Sequence, residues 1–152
     1  MVTICLLTAD DDLISGEDLA LGLEAKQSSW DKTYNHVSQN GVDGVTKSIV
    51  ATQRDSNPYW TVELQKEEKI KGVVFINRVD CCGERFNNIH VMVGGKECAT
   101  FKGPGSNGEI IPLRCSHPLT GKKVEVTLKG KGILSFAEIK IIAADGKYQL
   151  DR

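Results

Sequence analysis

Residues 78–85 have the sequence Arg-Val-Asp-Cys-Cys-Gly-Glu-Arg, which places several polar groups within one short segment. Arg78 and Arg85 can converge on one small ligand across a turn, since each guanidinium presents five donors in a fixed plane. Asp80 and Glu84 carry the charge needed to hold those guanidiniums in place. We therefore predict a binding face for a ligand with vicinal hydroxyl groups or a ring oxygen.

The adjacent cysteines of this segment add a different kind of surface. Neighbouring Cα atoms lie about 3.8 Å apart, closer than the roughly 4.4–6.8 Å of ordinary disulfides. A Cys81–Cys82 bridge would therefore be strained, and backbone strain concentrates at functional sites. It would present a polarizable sulfur patch suited to a methyl group. With the arginines this predicts a site for a 6-deoxy sugar, whereas the alternative is an ordinary charged turn with two buried thiols.

The chain has five cysteines, with Cys98 and Cys115 further along and Cys5 alone near the start. No C-x-x-C pair is present and no histidine stands at zinc-ligand spacing from a cysteine, which argues against a structural zinc site. Four cysteines fit one local and one vicinal bridge in an oxidising compartment. The alternative is a cytosolic protein with reduced thiols. We predict an oxidised, secreted extracellular protein in which Cys5 is free or intermolecular.

Catalytic patterns are poorly represented. The sequence contains no nucleophile elbow, P-loop or dinucleotide-binding fingerprint. His36, His90 and His117 stand in unrelated surroundings, and His90 takes the polar phase of an alternating segment. A Cys82 nucleophile served by a distant histidine is the remaining alternative, but oxidation with its neighbour would quench it. We therefore predict a non-enzymatic binding protein.

Bulk composition argues against several other classes. The length of 152 residues suits one domain with its own core. Nineteen basic and twenty acidic residues give a net charge of -1, which offers no general attraction to nucleic acid or to an anionic membrane. Aromatic residues make up 6% and are scattered, so no platform for stacked bases is indicated. No apolar stretch reaches the ~20 residues that cross a bilayer, so no membrane insertion is expected.

Alternating segments predict that residues 78–85 follow directly on a β-strand. Residues 70–77 are rich in β-branched side chains, and residues 88–93, 123–128 and 136–142 alternate polar with apolar positions. Turn-forming residues separate these segments, and no long helical pattern lies between them. The sequence therefore predicts an all-β, antiparallel β-sandwich or jelly roll, in which loops at strand ends carry function.

The start of the chain, residues 1–9, is a short apolar run without the basic region of a signal peptide. We interpret it as a terminal strand or the boundary of a cloned fragment, in preference to the remainder of a trimmed leader. Residues 148–152 are polar and are predicted to belong to a tail.

The segment at residues 78–85 resembles the sugar-binding motif of the F-type lectins, a family of fucose-binding proteins. Arg78, Asp80 and Arg85 match its R-x-D-x4-R part, and Cys81–Cys82 matches a vicinal disulfide found in the family. The resemblance implies a discoidin-like jelly roll, a sugar site built from these residues and a structural calcium ion.

Flanking segments extend this resemblance over residues 18–142. Matching stretches are the opening segment at residues 19–29, the Val-Asp-Gly turn at residues 42–44 and the strand at residues 57–64. The implied organisation is an N-terminal extension at residues 1–17, a lectin domain at residues 18–143 and a C-terminal tail at residues 144–152.

The chain departs from the family motif at its histidine, which precedes the first arginine at a fixed distance. Counting back from Arg78 reaches Gln53, and a gap-free alignment from the strand at residues 57–64 reaches Ala51. Gln53 can donate and accept hydrogen bonds in the histidine's place, or it is a plain surface residue. The loss implies a changed affinity or sugar preference.

A second departure concerns the disulfides. In the family a long-range bridge joins the histidine loop to the last strand, whereas Ile49 and Ala137 stand at its two ends here. We expect apolar packing to replace it. Cys98 and Cys115 match the family's other bridge, so the resemblance implies a Cys98–Cys115 disulfide.

The resemblance also implies a set of calcium ligands that mixes carboxylates with neutral oxygens, as calcium prefers. They are the Asn40 carbonyl, the Asp43 side chain, the Val45 carbonyl, Ser48, the Ala137 carbonyl and the Glu138 carboxylate. The alternative is that Asp43 belongs to a simple turn and that Glu138 faces solvent.

The expected function is a calcium-stabilised lectin for terminal L-fucose on fucosylated glycans, in innate immunity or cell recognition. The main alternative is a discoidin-like adhesion or protein-interaction module that has lost fucose binding. Weak single sites usually act in groups, so a homo-oligomer or a multidomain context is expected.

Overall fold

The computed structural model describes residues 9–144 and consists mainly of antiparallel strands. Its elements are α1 (Ala9–Ile14), β1 (Ala25–Gln27), a 3-10 helix (Ser38–Val42), β2 (Val50–Ala51), β3 (Asp55–Ser56), β4 (Tyr59–Ile76), a second 3-10 helix (Gly83–Arg85), β5 (Ile89–Val93), β6 (Lys96–Phe101), β7 (Ile110–Leu128), β8 (Lys131–Gly132), β9 (Ser135–Phe136) and β10 (Glu138–Ala143). The strand predicted from β-branched residues corresponds to the end of β4, and those predicted from alternation correspond to β5, to the end of β7 and to β9 with β10. The predicted antiparallel all-β fold is therefore confirmed.

Strands β4 and β7 lie at the centre of the main sheet. Its order is β1-β4-β7-β5-β6, and β10 also pairs with β4. β1 pairs with residues 60–62 of β4, whereas β10 pairs with β4 between residues 70 and 76. Register shifts interrupt the β4–β7 pairing twice, between residues 63 and 68 and between residues 70 and 72. Such irregularities bend strands, and residues from both halves of β4 share one core, as a sandwich requires.

An aromatic cluster fills the core beneath the predicted binding segment. Phe75 meets Phe86 with ring centroids 4.9 Å apart and Phe136 at 5.3 Å, and Trp60 meets Phe136 at 5.6 Å, all edge to face. All four side chains are fully buried, and edge-to-face pairs add to the stabilisation from burial. Because Phe75 precedes residues 78–85 and Phe86 follows them, the core fixes both ends of the segment.

A disulfide and an apolar cluster hold the remaining strands. Cys98–Cys115 joins β6 to β7 with Cα atoms 4.2 Å apart, which confirms the implied pairing. A disulfide that closes a loop of this length stabilises the folded state by about 3 kcal/mol, because it lowers the entropy of the unfolded chain. Ile49, Ala51 and Ala137 form a small buried cluster elsewhere. Ile49 and Ala137, the residues at the two ends of the family's long-range disulfide, therefore pack together as apolar side chains, as the sequence predicted.

The described part of the N-terminal extension contains helix α1, which packs on the sheet. Leu13 is fully buried with Val74 and Ile142, and the Lys71 ammonium lies 2.7 Å from the Asp12 carboxylate. Of the stretch at residues 1–9, for which a terminal strand or the boundary of a cloned fragment was predicted, only Ala9 is described, and it is the first residue of α1. The rest of that stretch, Cys5 and the predicted tail at residues 148–152 lie outside the described residues. No helix within residues 9–144 is long and apolar enough to cross a membrane.

Candidate functional site

Buried hydrogen bonds fix the loop that follows β4. Asn77 is 1% exposed, and its side-chain amide donates to the Gly83 carbonyl at 3.0 Å and the Ser106 carbonyl at 2.9 Å. The Gly83 amide in turn donates to Asn107 Oδ1 at 2.7 Å. Only glycine fits at this position, since a Cβ there would lie 2.5 Å from the Asn107 backbone nitrogen. The loop is therefore held before any ligand arrives.

Arg78 is oriented by Asp80, as the sequence predicted. Its Nε donates to Asp80 Oδ1 at 2.7 Å and its Nη2 to Oδ2 at 3.3 Å. The Arg78 side chain is 14% exposed, whereas that of Asp80 is 70% exposed. The hydrogen bond from Arg78 lowers the pKa of Asp80, so the carboxylate stays ionised and the guanidinium keeps its direction.

Arg85 differs from Arg78 in having no such partner. Glu84 is exposed, and within residues 9–144 no ion pair joins it to either arginine. The prediction that Glu84 would hold a guanidinium is therefore wrong, because the 3-10 helix directs it to solvent. The half-buried Arg85 side chain makes no hydrogen bond to any other described residue, so its donors remain available to a ligand.

Cys81 and Cys82 form the predicted vicinal disulfide, with Cα atoms 3.7 Å apart. Cys82 has φ +67°, a left-handed conformation that is uncommon outside glycine. Both cysteines are half-buried. The bridge is therefore partly accessible, three residues after Arg78 in the chain.

A cavity of about 900 Å³ opens above this loop. Every residue predicted to contact sugar lines it, namely Gln53, Arg78, Asp80, Cys81, Cys82 and Arg85. Other lining residues, missed in the sequence, are Asp31, Tyr34, His36 and Arg54. They come from two loops whose approach depends on long-range pairing, and no local motif marks them.

Gln53 lies in the cavity with part of its hydrogen-bonding capacity already used. Its backbone amide donates to Ser29 Oγ at 2.9 Å. Its side-chain Nε2 donates to the Trp30 carbonyl at 3.1 Å. The side-chain oxygen and the second N–H of Nε2 are therefore the groups that Gln53 could still offer to a ligand.

The residues of the implied calcium site form a second constellation. Asp43 accepts hydrogen bonds from the Ser48 hydroxyl and from the Val45 amide. Glu138 is 3% exposed, which corrects its solvent-facing alternative. Its Oε2 accepts from the Gly44 amide at 2.9 Å, whereas its Oε1 is buried without a hydrogen-bond partner.

Burial raises the pKa of Glu138 to about 8, and the nearby Asp43 charge contributes to the rise. An unpaired buried carboxylate oxygen beside a second carboxylate fits a hard cation. Within residues 9–144, no group of three or more His, Cys, Asp or Glu side chains could hold a metal ion. A cation here would therefore need hydroxyl and backbone oxygens as well. Ala137 directly precedes Glu138 in the chain, and the Asn40 side chain donates to the Ile49 carbonyl at 2.9 Å.

Comparisons with known proteins agree with this geometry. The F5/F8 type C family described as a NedA-like, galactose-binding domain matches residues 40–126. Fucolectin-6 of Anguilla japonica is 36% identical over 129 residues, which cover 77% of this chain and 68% of that protein.

Solved structures extend the likeness to the fold. A Streptococcus pneumoniae fucose-binding module aligns with a TM-score of 0.73 and 28% identity, covering 85% of this chain and 99% of that one. The lectin domain of lectinolysin, solved in complex with the Lewis b antigen, aligns with a TM-score of 0.72 and 28% identity, covering 85% and 98%. The chain therefore belongs to the F-type lectin, or fucolectin, family and has its F5/F8 type C-like fold.

Proposed function

We propose that this protein is a lectin that binds terminal L-fucose on fucosylated glycans. The observation that carries the proposal is the Arg78 guanidinium, which is held by Asp80 and lines one cavity together with the half-buried Cys81–Cys82 bridge. Fixed guanidinium donors suit the hydroxyls and ring oxygen of a sugar. The sulfur patch suits the C6 methyl group of a 6-deoxy sugar. Relatives named for fucose binding support the same ligand.

Recognition without catalysis fits this site. Cys82 is bonded to Cys81, so the thiolate that a cysteine enzyme needs is absent from the cavity. The remaining groups hold hydrogen-bond donors and acceptors in fixed directions. We accordingly assign binding, not turnover, to the cavity, with the protein acting in an oxidising extracellular setting where both bridges persist.

A panel of immobilised glycans tests the proposal. Labelled protein should bind glycans that carry terminal L-fucose, including Lewis b, and should ignore matched glycans that lack the fucose. Free L-fucose should compete with this binding. The alternative function, a discoidin-like adhesion module, is favoured by one feature, the absence of histidine at positions 51 and 53. A folded protein that binds no fucosylated glycan would support that alternative and refute ours.

Calcium is the cofactor we propose for the second constellation. The ligands would be the Asp43, Ser48 and Glu138 side chains with the Asn40, Val45 and Ala137 carbonyls. The support is the buried, unpaired Glu138 Oε1, since a cation there would neutralise a charge that burial otherwise penalises. The ion would be structural, joining the loop after the first 3-10 helix to the start of β10.

Fucosylated glycans are the partners of this proposal. A single sugar site binds weakly, and several linked sites increase avidity without new contacts. We accordingly propose that the domain acts as a homo-oligomer or within a larger protein. Nucleic acid and membrane insertion have no part in the proposed activity.

A further inference from the structure

His36 lies next to Ala51, one of the two positions at which the family histidine was expected. Its backbone carbonyl accepts hydrogen bonds from the Ala51 amide at 3.2 Å and from Gln27 Nε2 at 3.1 Å. Ala51 is the residue that a gap-free alignment sets against the family histidine, and it lines the same cavity. His36 belongs to a different loop, but a backbone hydrogen bond joins it to Ala51, the position of the family histidine in that alignment.

The His36 ring is oriented but not engaged. It stacks on Tyr34 with centroids 5.3 Å apart and planes 11° from parallel. Neither ring nitrogen makes a hydrogen bond to another described residue. The ring lines both the main cavity and a neighbouring one of about 320 Å³, and Arg78 and Asp80 line both as well. A ring held by stacking, with free nitrogens beside Arg78, is a prepared contact for a polar ligand.

We propose that His36 is the third polar sugar-binding side chain of the cavity, completing the set formed by Arg78 and Arg85. The inference rests on the proposed fucose-binding function. Gln53 is a weaker candidate for this role because one N–H of its Nε2 already donates to the Trp30 carbonyl, whereas both ring nitrogens of His36 are without a partner among the described residues. The loop after β1 thus supplies the imidazole. The site keeps an imidazole, but from a different loop than the family histidine.

The electrostatic surroundings favour the neutral imidazole. Burial lowers the pKa of His36, and the positive charge of Arg78 lowers it further, whereas Asp80 and Asp31 raise it. A neutral imidazole offers one donor and one acceptor, which suits a sugar hydroxyl. Protonation removes the acceptor and places a second positive charge beside Arg78. The other titratable groups lining the two cavities are Tyr34, Lys47, Arg54 and Arg85.

Substitutions at His36 test the contact directly. His36→Ala should weaken L-fucose binding in calorimetry about tenfold, the effect of losing one well-placed hydrogen bond. His36→Phe keeps a ring for stacking on Tyr34 but has no nitrogen, so it should lose as much. His90→Ala is the matched control, because His90 lies on β5 and pairs with Glu97 at 3.0 Å. It should bind like the unmodified protein.

The pH dependence separates a contact from a purely structural role. Affinity of the unmodified protein should fall several-fold from about pH 7 to about pH 5, because only the neutral imidazole accepts a hydrogen bond. His36→Gln should show a flat profile over the same range. Far-ultraviolet circular dichroism and thermal unfolding of each variant identify any that fails to fold.

The outcomes distinguish this inference from the function it rests on. If the unmodified protein binds no L-fucose, both are wrong. If it binds L-fucose and Arg78→Ala abolishes binding, but folded His36→Ala and His36→Phe bind within about twofold of it, only the His36 inference is wrong. A tenfold loss in both variants, with a flat pH profile for His36→Gln, establishes the contact.

Discussion

Arg78 is the more constrained of the two arginines in the segment at residues 78–85. Two of its nitrogens donate to the Asp80 carboxylate, and its side chain is 14% exposed. A side chain that is already ordered loses little entropy when a ligand binds. Arg78 should therefore contribute more to sugar affinity than Arg85, whose guanidinium must still be ordered.

Replacing Arg78 measures that contribution. Arg78→Ala should lower affinity for L-fucose at least about tenfold, because a hydrogen bond to a charged group contributes about 1.5–3 kcal/mol. Arg78→Lys keeps the charge without the planar fork, so it should recover only part of the loss. Glu84→Ala, an exposed change in the same segment, is the control and should have no effect. Calorimetric affinity of Arg78→Ala within twofold of the unmodified protein would show that the cavity is not the sugar site.

Residues close together in sequence could be predicted as a site, and residues brought together by the fold could not. Arg78, Asp80 and the vicinal disulfide lie within five positions, so their types and spacing predict a shared surface. Tyr34 and His36 belong to a segment without a periodic pattern. Their approach depends on hydrogen bonds such as the one from Ala51 to His36, which no local signal reveals.

At the scale of elements, strands were predicted better than the segments between them. Alternation marks β5 and the end of β7 because one face of each is buried. The end of β4 is marked by β-branched residues instead, because residues 72–75 are buried on both faces. The first part of β7 and all of β6 carry weaker alternation, and their pairing with neighbours defines them. Helix α1 was not predicted from the sequence. Leu13 is its only described side chain in a core cluster, and one apolar residue does not create a helical pattern.

The cluster of Ile49, Ala51 and Ala137 bears on stability at this scale. Ile49→Ala should lower the free energy of unfolding by about 2–4 kcal/mol, because Ile49 is 6% exposed and the truncation leaves a cavity. Ile110→Ala removes the same atoms at a position that is 53% exposed, so its effect should be below about 1 kcal/mol. Urea unfolding of both variants provides the comparison. Equal effects would show that the cluster does not replace a cross-link between the loop and the last strand.

For the molecule as a whole, the proposed calcium ion links the loop between the first 3-10 helix and β2 to the start of β10. Saturating calcium stabilises a protein by about 2.7 kcal/mol at a hundred times the dissociation constant. For a domain of this size, each kcal/mol of added stability raises Tm by roughly 2–4 °C. Tm should therefore rise by several degrees when calcium is added to chelated protein, and magnesium should do less because it is smaller and binds water more firmly.

Glu138→Gln is the matched variant for the calcium experiment. It keeps the shape of the side chain and cannot ionise to the carboxylate that a cation needs. Because the pKa of Glu138 is raised to about 8, this group is mostly protonated at neutral pH without a cation, so the chelated variant should be about as stable as the chelated parent. Calcium should no longer raise its Tm. A parent whose Tm is the same with chelator and with calcium would refute the metal site, and so would a variant that retains the full response.

The central claim is that the cavity recognises a 6-deoxy sugar through its arginines and its sulfur patch. Titration of the intact protein with L-fucose and with L-galactose, which differ by one hydroxyl on C6, tests it most directly. L-fucose should bind with one site per chain, and L-galactose about tenfold more weakly, since its extra hydroxyl would face sulfur without a hydrogen-bond partner. Equal affinities for the two sugars, or no heat with L-fucose from folded protein, would contradict the account.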